Sequence, residues 1–288
     1  MSVHVMVNGL GKIGTEIAKA IASDDKYEFV RYSLVGPEIT EKTGMIGDKE
    51  VRLIRPWERN IFDVLLKEAF SDENTEGRNS LILLDFTTPK VVNDNVRFYA
   101  ERGLNFIIGT TGGNVEEIRD AVRASSVNAV IAPNLALPIV MLQAMWEFAA
   151  ESFPDVMEEF IFAGTESHQS TKVDVSGTML GFIQKFRRLG IDVSSKGIAP
   201  PIRSSDRQIE LGVPEEYLSA HAYHDYRFVL PSEGDFDNYE AQIYFGHNVN
   251  GRNIYPRGAK KAIDFLYRKV SEGSRGISYS MVEVMKNK

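Results

Sequence analysis

The 288-residue sequence contains no cysteine. That excludes disulfides, thiolate nucleophiles and cysteine-ligated zinc at once, and it fits a reducing compartment. Positive charge is also short. Lys and Arg number 33 against 40 Asp and Glu, a formal net charge of −7. Such a chain has no basic field for a nucleic acid, so an anionic ligand must be held by a few local groups. Long apolar runs are missing as well. The stretch AVIAPNLALPIVML, residues 129–142, is broken by Asn134 and by prolines and is too short to span a bilayer. The N-terminus, MSVHVMVNGLG, runs into a strand and a glycine-rich turn, without the basic segment, apolar core and cleavage site of a signal peptide. No internal repeat or low-complexity tract is seen. The most loop-like piece is SDENTEGRNS, residues 71–80.

What remains is the composition of a globular protein, 43% apolar and 25% charged, long enough for one large domain or two ordinary ones. Strand and helix patterns alternate about five times before Asn134. VHVMVNG, YEFVRYSLVG, LILLDFT, NFIIG and AVIAPN read as strands. TEIAKAIAS, NIFDVLLKEAF, KVVNDNVRFYAERG and NVEEIRDAVRASS read as helices. Within NIFDVLLKEAF the recurring apolar positions are Ile61, Leu65 and Ala69. KTGMIG and EVRLIRP read as a hairpin through Gly47-Asp48. The continuous apolar run LILLDFT is what a parallel sheet buried on both faces requires. After the apolar helix IVMLQAMWEFAAESF the period changes. Tyr226, Phe228 and Leu230 share one strand face, and Tyr239, Ala241, Ile243 and Phe245 share another. The expected fold is therefore α/β: a Rossmann-like doubly wound parallel sheet plus a smaller α+β domain with an open, mainly antiparallel sheet. The expected division is 1–134 with 252–288 for a dinucleotide, and 135–251 for substrate binding and oligomerisation.

The motif GLGKIG, Gly9, Gly11, Lys12, Ile13 and Gly14, matches G-x-G-x-x-G between a strand and a helix. Glycines there admit a pyrophosphate to the backbone, and the helix start supplies N–H groups. Ser33, at the end of the second strand, stands where an acidic residue would bind the ribose of NAD, so NADPH is the expected cofactor, with NADH possible. DFTTP (Phe86, Thr87) and GTTGG (Gly109, Thr110, Thr111) follow later strands and suit a crevice lining, as do Pro133 and Asn134.

The loop ESHQSTKVDVSGT, residues 166–178, precedes a helical stripe of Met179, Phe182, Ile183 and Phe186. It delivers a helix N-terminus for a carboxylate, Lys172 as a cation and His168 as a proton donor. Taken singly, His168 is also a plain hydrogen-bonded residue, Lys172 a solvated charge, and Ser176 or Thr178 an N-cap.

Taken together with MVNGLGKIG, DFTTP, GTTGG, GVPEEYLSAHAYHDY and HNVNGRNIY in order, this loop resembles the substrate signature of the dihydrodipicolinate reductase family, in its plant-type form. The resemblance implies NAD(P)H-dependent reduction of 4-hydroxy-tetrahydrodipicolinate, a step of lysine and diaminopimelate biosynthesis. It implies catalytic roles for His168 and Lys172 and substrate binding by Gln169, Ser176, Gly177, Thr178 and Arg252, with no metal. It implies a small dicarboxylate partner, a homo-oligomer (dimer or tetramer), no membrane or nucleic acid, and a cytoplasmic or plastid-stromal setting. The glycine loop departs from the family's usual form by being one residue shorter, with Ile13 where Met is usual. Other readings are an aspartate or homoserine dehydrogenase-like enzyme and a non-catalytic dinucleotide sensor.

Overall fold

A computed structural model describes residues 2–70, 80–170, 176–194, 197–232 and 235–287. Lys172, and all but the last residue of the polar stretch 71–80, lie outside the described residues. The chain forms two compact units, Met1–Leu137 with Tyr255–Lys288, and Pro138–Ile254. These bounds fall three residues beyond the expected ones, at the start of the apolar helix at Leu137.

In the first unit, β1 (Val3–Asn8) leads through α1 (Lys12–Ala22) to β2 (Tyr27–Phe29). The expected second strand is interrupted here. Its continuation, β3 (Tyr32–Leu34), pairs with β5 (Lys49–Ile54), which forms the expected hairpin with β4 (Thr43–Ile46) in a separate small sheet. A 3-10 turn, Pro56–Ile61, runs into α2 (Phe62–Ala69). The buried stripe of α2 is Phe62, Leu65 and Leu66, while Ala69 is exposed. Proline at the first position of the 3-10 turn starts the helical register earlier than apolar spacing suggested.

Next come β6 (Leu81–Asp85), α3 (Val92–Glu101), β7 (Asn105–Ile108), α4 (Val115–Arg123) and β8 (Ala129–Ile131). The main sheet has the order β12-β8-β7-β6-β1-β2, all parallel, where β12 is Ser278–Ser280. Every residue of β6 and β7 is buried, as the unbroken apolar runs required. The C-terminal helix α8 (Tyr255–Ser271) returns to this unit, and a Cβ on Gly258 would overlap the Leu135 carbonyl. β12 and α9 (Met281–Lys286) close the chain. Strand order reverses between β1 and β6, which is the switch point where open α/β sheets admit ligands.

In the second unit, α5 (Leu137–Ser152) precedes β9 (Ile161–His168), α6 (Gly177–Arg188), α7 (Ser205–Glu210), β10 (His221–Ser232) and β11 (Asp235–Asn250). The sheet order is β11-β10-β9, antiparallel throughout. The core is aromatic. Phe186 lies 4.8 Å from Phe228, and Trp146 lies 5.1 Å from both Phe186 and Phe245, measured between ring centroids. The stripe on α6 is buried as its spacing predicts, with Met179, Phe182 and Phe186 fully covered. That burial decides which way the start of α6 faces.

Candidate active site

Three loops meet at the switch point of the first unit. Gly9 has φ +80°, and a Cβ there would overlap the Phe86 carbonyl and the Thr87 nitrogen. Gly14 is equally confined, by the Gly9 carbonyl. Gly11, the N-cap of α1, is different: it has φ −72° and nothing within 4 Å of a Cβ. Packing explains two of the motif's glycines but not this one, whose open side suits a ligand approaching the helix start. Lys12 and Ile13 are exposed beside it. Phe86 seats its ring behind Gly109, where a side chain would overlap it.

The loops are held by a residue that sequence reasoning passed over. Asp85, at the end of β6, is fully buried. Its carboxylate accepts from Tyr99 Oη (2.8 Å), Asn95 Nδ2 (2.8 Å), Thr87 N (3.0 Å) and Oγ1 (2.6 Å), and Thr110 Oγ1 (2.9 Å). Asn8 donates to Tyr99 Oη at 2.9 Å and accepts from Leu34 N at 2.8 Å. Burial, with Asp85 alongside, pushes the Tyr99 phenol well above its ordinary pKa, so it stays a donor. One polar network thus ties the glycine loop to DFTTP and GTTGG. The signal was an acid ending an all-apolar strand, LILLD, where only a paired charge survives burial.

Of the remaining cofactor expectations, Thr111 and Pro133 are exposed at loop tips, and Asn134 Oδ1 accepts from Ala136 N at 2.9 Å. Ser33 is fully buried and its hydroxyl donates to the Leu34 carbonyl at 3.3 Å. Four residues beyond the strand end at Leu34, the Glu38 carboxylate folds over Gly36 so closely that a Cβ there would overlap it.

In the second unit, β9, β10 and β11 bring Glu166, His168, His224, His247, His221 and Arg252 to one end of the sheet. The register sets Glu166 opposite His224 and His224 opposite His247. Ser176 caps α6: its Oγ accepts from Met179 N at 3.0 Å and lies 2.8 Å from His224 Nε2. Gly177 follows, exposed, with nothing within 4 Å of a Cβ, and Thr178 is half-buried. His168 is 7% exposed, and its Nε2 stands 3.4 Å from Glu166 Oε2 without making a hydrogen bond to any described residue. Gln208 Nε2 donates to the His168 carbonyl at 2.8 Å, fixing the start of the loop. Gln169 is half-buried, and Arg252 donates to the Ser219 carbonyl at 3.3 Å. Burial, reinforced by His224 and His168, lowers the His247 pKa to about 3, so this ring is neutral.

Sequence reasoning assigned no role to Glu166, His221 or His224. The readable signal was the period of two: Glu166 and His168 share a strand face. Glu166, His168 and His224 place donor atoms within 4.8 Å of one another. Both Glu166 oxygens accept from Ser176 N, and His224 Nε2 is engaged with Ser176 Oγ, so these donors are already committed to a hydrogen-bonded network.

The family model for the dihydrodipicolinate reductase N-terminus matches residues 3–135, and that for the C-terminus matches residues 138–285. A chain from Oryza sativa subsp. japonica, described as probable 4-hydroxy-tetrahydrodipicolinate reductase 1, chloroplastic, is 33% identical over 287 residues, covering 99% of this chain and 79% of that one. The Arabidopsis thaliana 4-hydroxy-tetrahydrodipicolinate reductase 2, chloroplastic, is 34% identical over 286 residues, covering 99% and 77%. Among solved structures, a dipicolinate-bound dihydrodipicolinate reductase from Paenisporosarcina sp. TG-14 superposes with a TM-score of 0.60 at 20% identity, covering 98% of this chain and 99% of that one. At that identity the likeness speaks for the fold.

Proposed function

This chain belongs to the dihydrodipicolinate reductase family, and from that membership we propose how its residues carry out the NAD(P)H-dependent reduction of 4-hydroxy-tetrahydrodipicolinate in lysine and diaminopimelate biosynthesis. The observation that carries the reading is His168. It is a buried imidazole whose Nε2 has no hydrogen-bond partner among the described residues, at the sheet end that also holds the start of α6. That atom stands 3.4 Å from Glu166 Oε2, so the imidazole sits against a carboxylate at the sheet end where the reaction needs a proton.

When bound, the dinucleotide supplies a hydride. The glycine loop fits its pyrophosphate: Gly11 leaves the approach open, and the α1 N–H groups with Lys12 provide positive charge. Gly9, Ile13 and Gly14 shape that loop. Phe86, Thr87, Gly109, Thr110, Thr111, Pro133 and Asn134 line the nicotinamide side. As the 4-hydroxyl leaves as water and the ring takes up the hydride, His168 gives the ring a proton, and Lys172 counters the dianion and assists protonation. Ser176, Gly177 and Thr178 take one carboxylate at the head of α6, with Gln169 and Arg252 nearby.

The choice of cofactor shifts from the sequence expectation. NADPH followed from the lack of an acid at Ser33. The Glu38 carboxylate over Gly36 supplies one from four residues beyond the strand end at Leu34, and it would repel a 2′-phosphate while accepting from a ribose hydroxyl. We infer that NADH is used at least as well as NADPH. Self-association through β11 is supported by Tyr239, Ile243 and Tyr244, exposed on an outer strand. The cytoplasm or a plastid stroma suits a chain without cysteine.

The test is oxidation of NADH or NADPH in an assay fed by dihydrodipicolinate synthase. His168→Ala should lower kcat by about a hundredfold while changing KM little. Wild-type turnover in that variant would remove His168 from the reaction.

A further inference from the structure

The reading above assigns nothing to Glu166, yet three elements converge on its carboxylate. Its side chain has no exposure. Ser176 N, at the head of α6, donates to Oε1 at 3.0 Å and to Oε2 at 3.2 Å. Oε2 also stands 3.4 Å from His168 Nε2 on β9 and 3.4 Å from His224 Nε2 on β10. A carboxylate buried this deeply stays charged only if its surroundings answer the charge. Burial alone would push its pKa up, but His168, His224 and the Ser176 N–H overcome that and hold the carboxyl well below its usual range.

We propose that Glu166 is the positioning residue of this reaction: it faces His168 with a fixed negative charge and pins the first turn of α6, so that the proton donor and the carboxylate cradle share one anchor. The proposal rests on the roles given above to His168 and to the start of α6. The groups around His168 are Glu166 on its own strand, His221 and His224 on β10 with Tyr226 beside Glu166, His247 on β11, and Ser176. Lys172 and Asp174 are outside the described residues. Within this set Glu166 is the carboxylate. Removing it therefore takes away the carboxylate that faces His168, while the neighbouring imidazoles remain.

The two duties separate by substitution. Glu166→Gln keeps an acceptor for Ser176 N and loses the charge. Glu166→Ala loses both. Glu166→Asp keeps the charge on a shorter arm. In the coupled assay, Glu166→Gln is expected to lower kcat about tenfold or more with substrate KM within about threefold. Glu166→Ala should add a rise in substrate KM of about tenfold, and Glu166→Asp should recover part of kcat. Trp146, packed between Phe186 and Phe245, reports through its near-UV circular dichroism whether the second unit is intact. If Glu166→Gln loses that signal, Glu166→Asp is read in its place.

Wild-type kcat in Glu166→Gln or Glu166→Ala with the Trp146 signal intact would overturn the proposal. So would a full additional loss when Glu166→Gln is combined with His168→Asn, because a residue acting through His168 has nothing left to act on. A different result, wild-type turnover in His168→Asn alone, would instead mean that the underlying assignment of the proton donor is wrong.

Discussion

Gly11 and Gly177 occupy matching places in the two units, each at the start of a helix and each with open space where a side chain would be. Glycines kept for packing look different, as Gly14 does against the Gly9 carbonyl. Gly11→Ala is therefore expected to raise the cofactor KM several-fold and leave the melting temperature within a degree or two. Gly14→Ala should lower stability by about 2 kcal/mol or more through overpacking. Thermal melts beside steady-state kinetics separate the two. Glu38→Gln is expected to raise the ratio of kcat/KM for NADPH over NADH by several-fold, because a carboxylate that repels a phosphate is gone; an unchanged ratio would show that Glu38 does not face the ribose. Lys172→Ala should lose most turnover and weaken substrate binding, measured as kcat and KM in the same assay.

At the scale of elements, the ends of β1, β6 and β7 are joined by one carboxylate. Asp85 accepts from Tyr99, Asn95, Thr87 and Thr110. Asp85→Asn offers only one carbonyl oxygen to those donors and leaves buried groups without partners. Each such group costs about 1–3 kcal/mol, so we expect a loss of about 3 kcal/mol in chemical denaturation and a raised cofactor KM. Most elements were readable from period and punctuation. The exceptions are instructive. YEFVRYSLVG reads as one strand, but Arg31 separates two pieces that hydrogen-bond in different sheets, and local sequence does not encode which partner a strand takes. In the site, His168 and the α6 start were legible because loop chemistry is local. Glu166, His224 and Asp85 were not, because their partners come from strands far away in sequence.

At the scale of the whole molecule, histidines set the acid response. The folded pKa of His247 is about 3, below its ordinary 6.5, and those of His4 and His221 are also lowered, burial being the leading cause for each. Between those limits the unfolded chain binds more protons than the folded one. Stability is therefore full above about pH 6.5 and falls as pH drops, with a slope for His247 of up to about 1.4 kcal/mol per pH unit. Urea titrations at pH 7 and pH 5 should show this loss, and His247→Gln should flatten it. The outer strand β11 exposes Tyr239, Ile243 and Tyr244, so Ile243→Asp is expected to shift the protein toward monomer in light scattering; a wild-type mass would place self-association elsewhere.

The sequence by itself determined the order of strands and helices, the glycine loop, the change of sheet type near Asn134 and the polar loop that carries His168. All of these depend on neighbours within about a dozen residues, where periodicity and turn chemistry act. Tertiary structure alone decided which polar groups face each other: Glu166 between His168, His224 and Ser176; Asp85 beneath three loops; and the Glu38 carboxylate over Gly36, with Ser33 buried in β3. Burial makes those pairings obligatory, since an unpaired charge in the interior is too costly to persist. The identity of each partner depends on strand register, which no local pattern specifies.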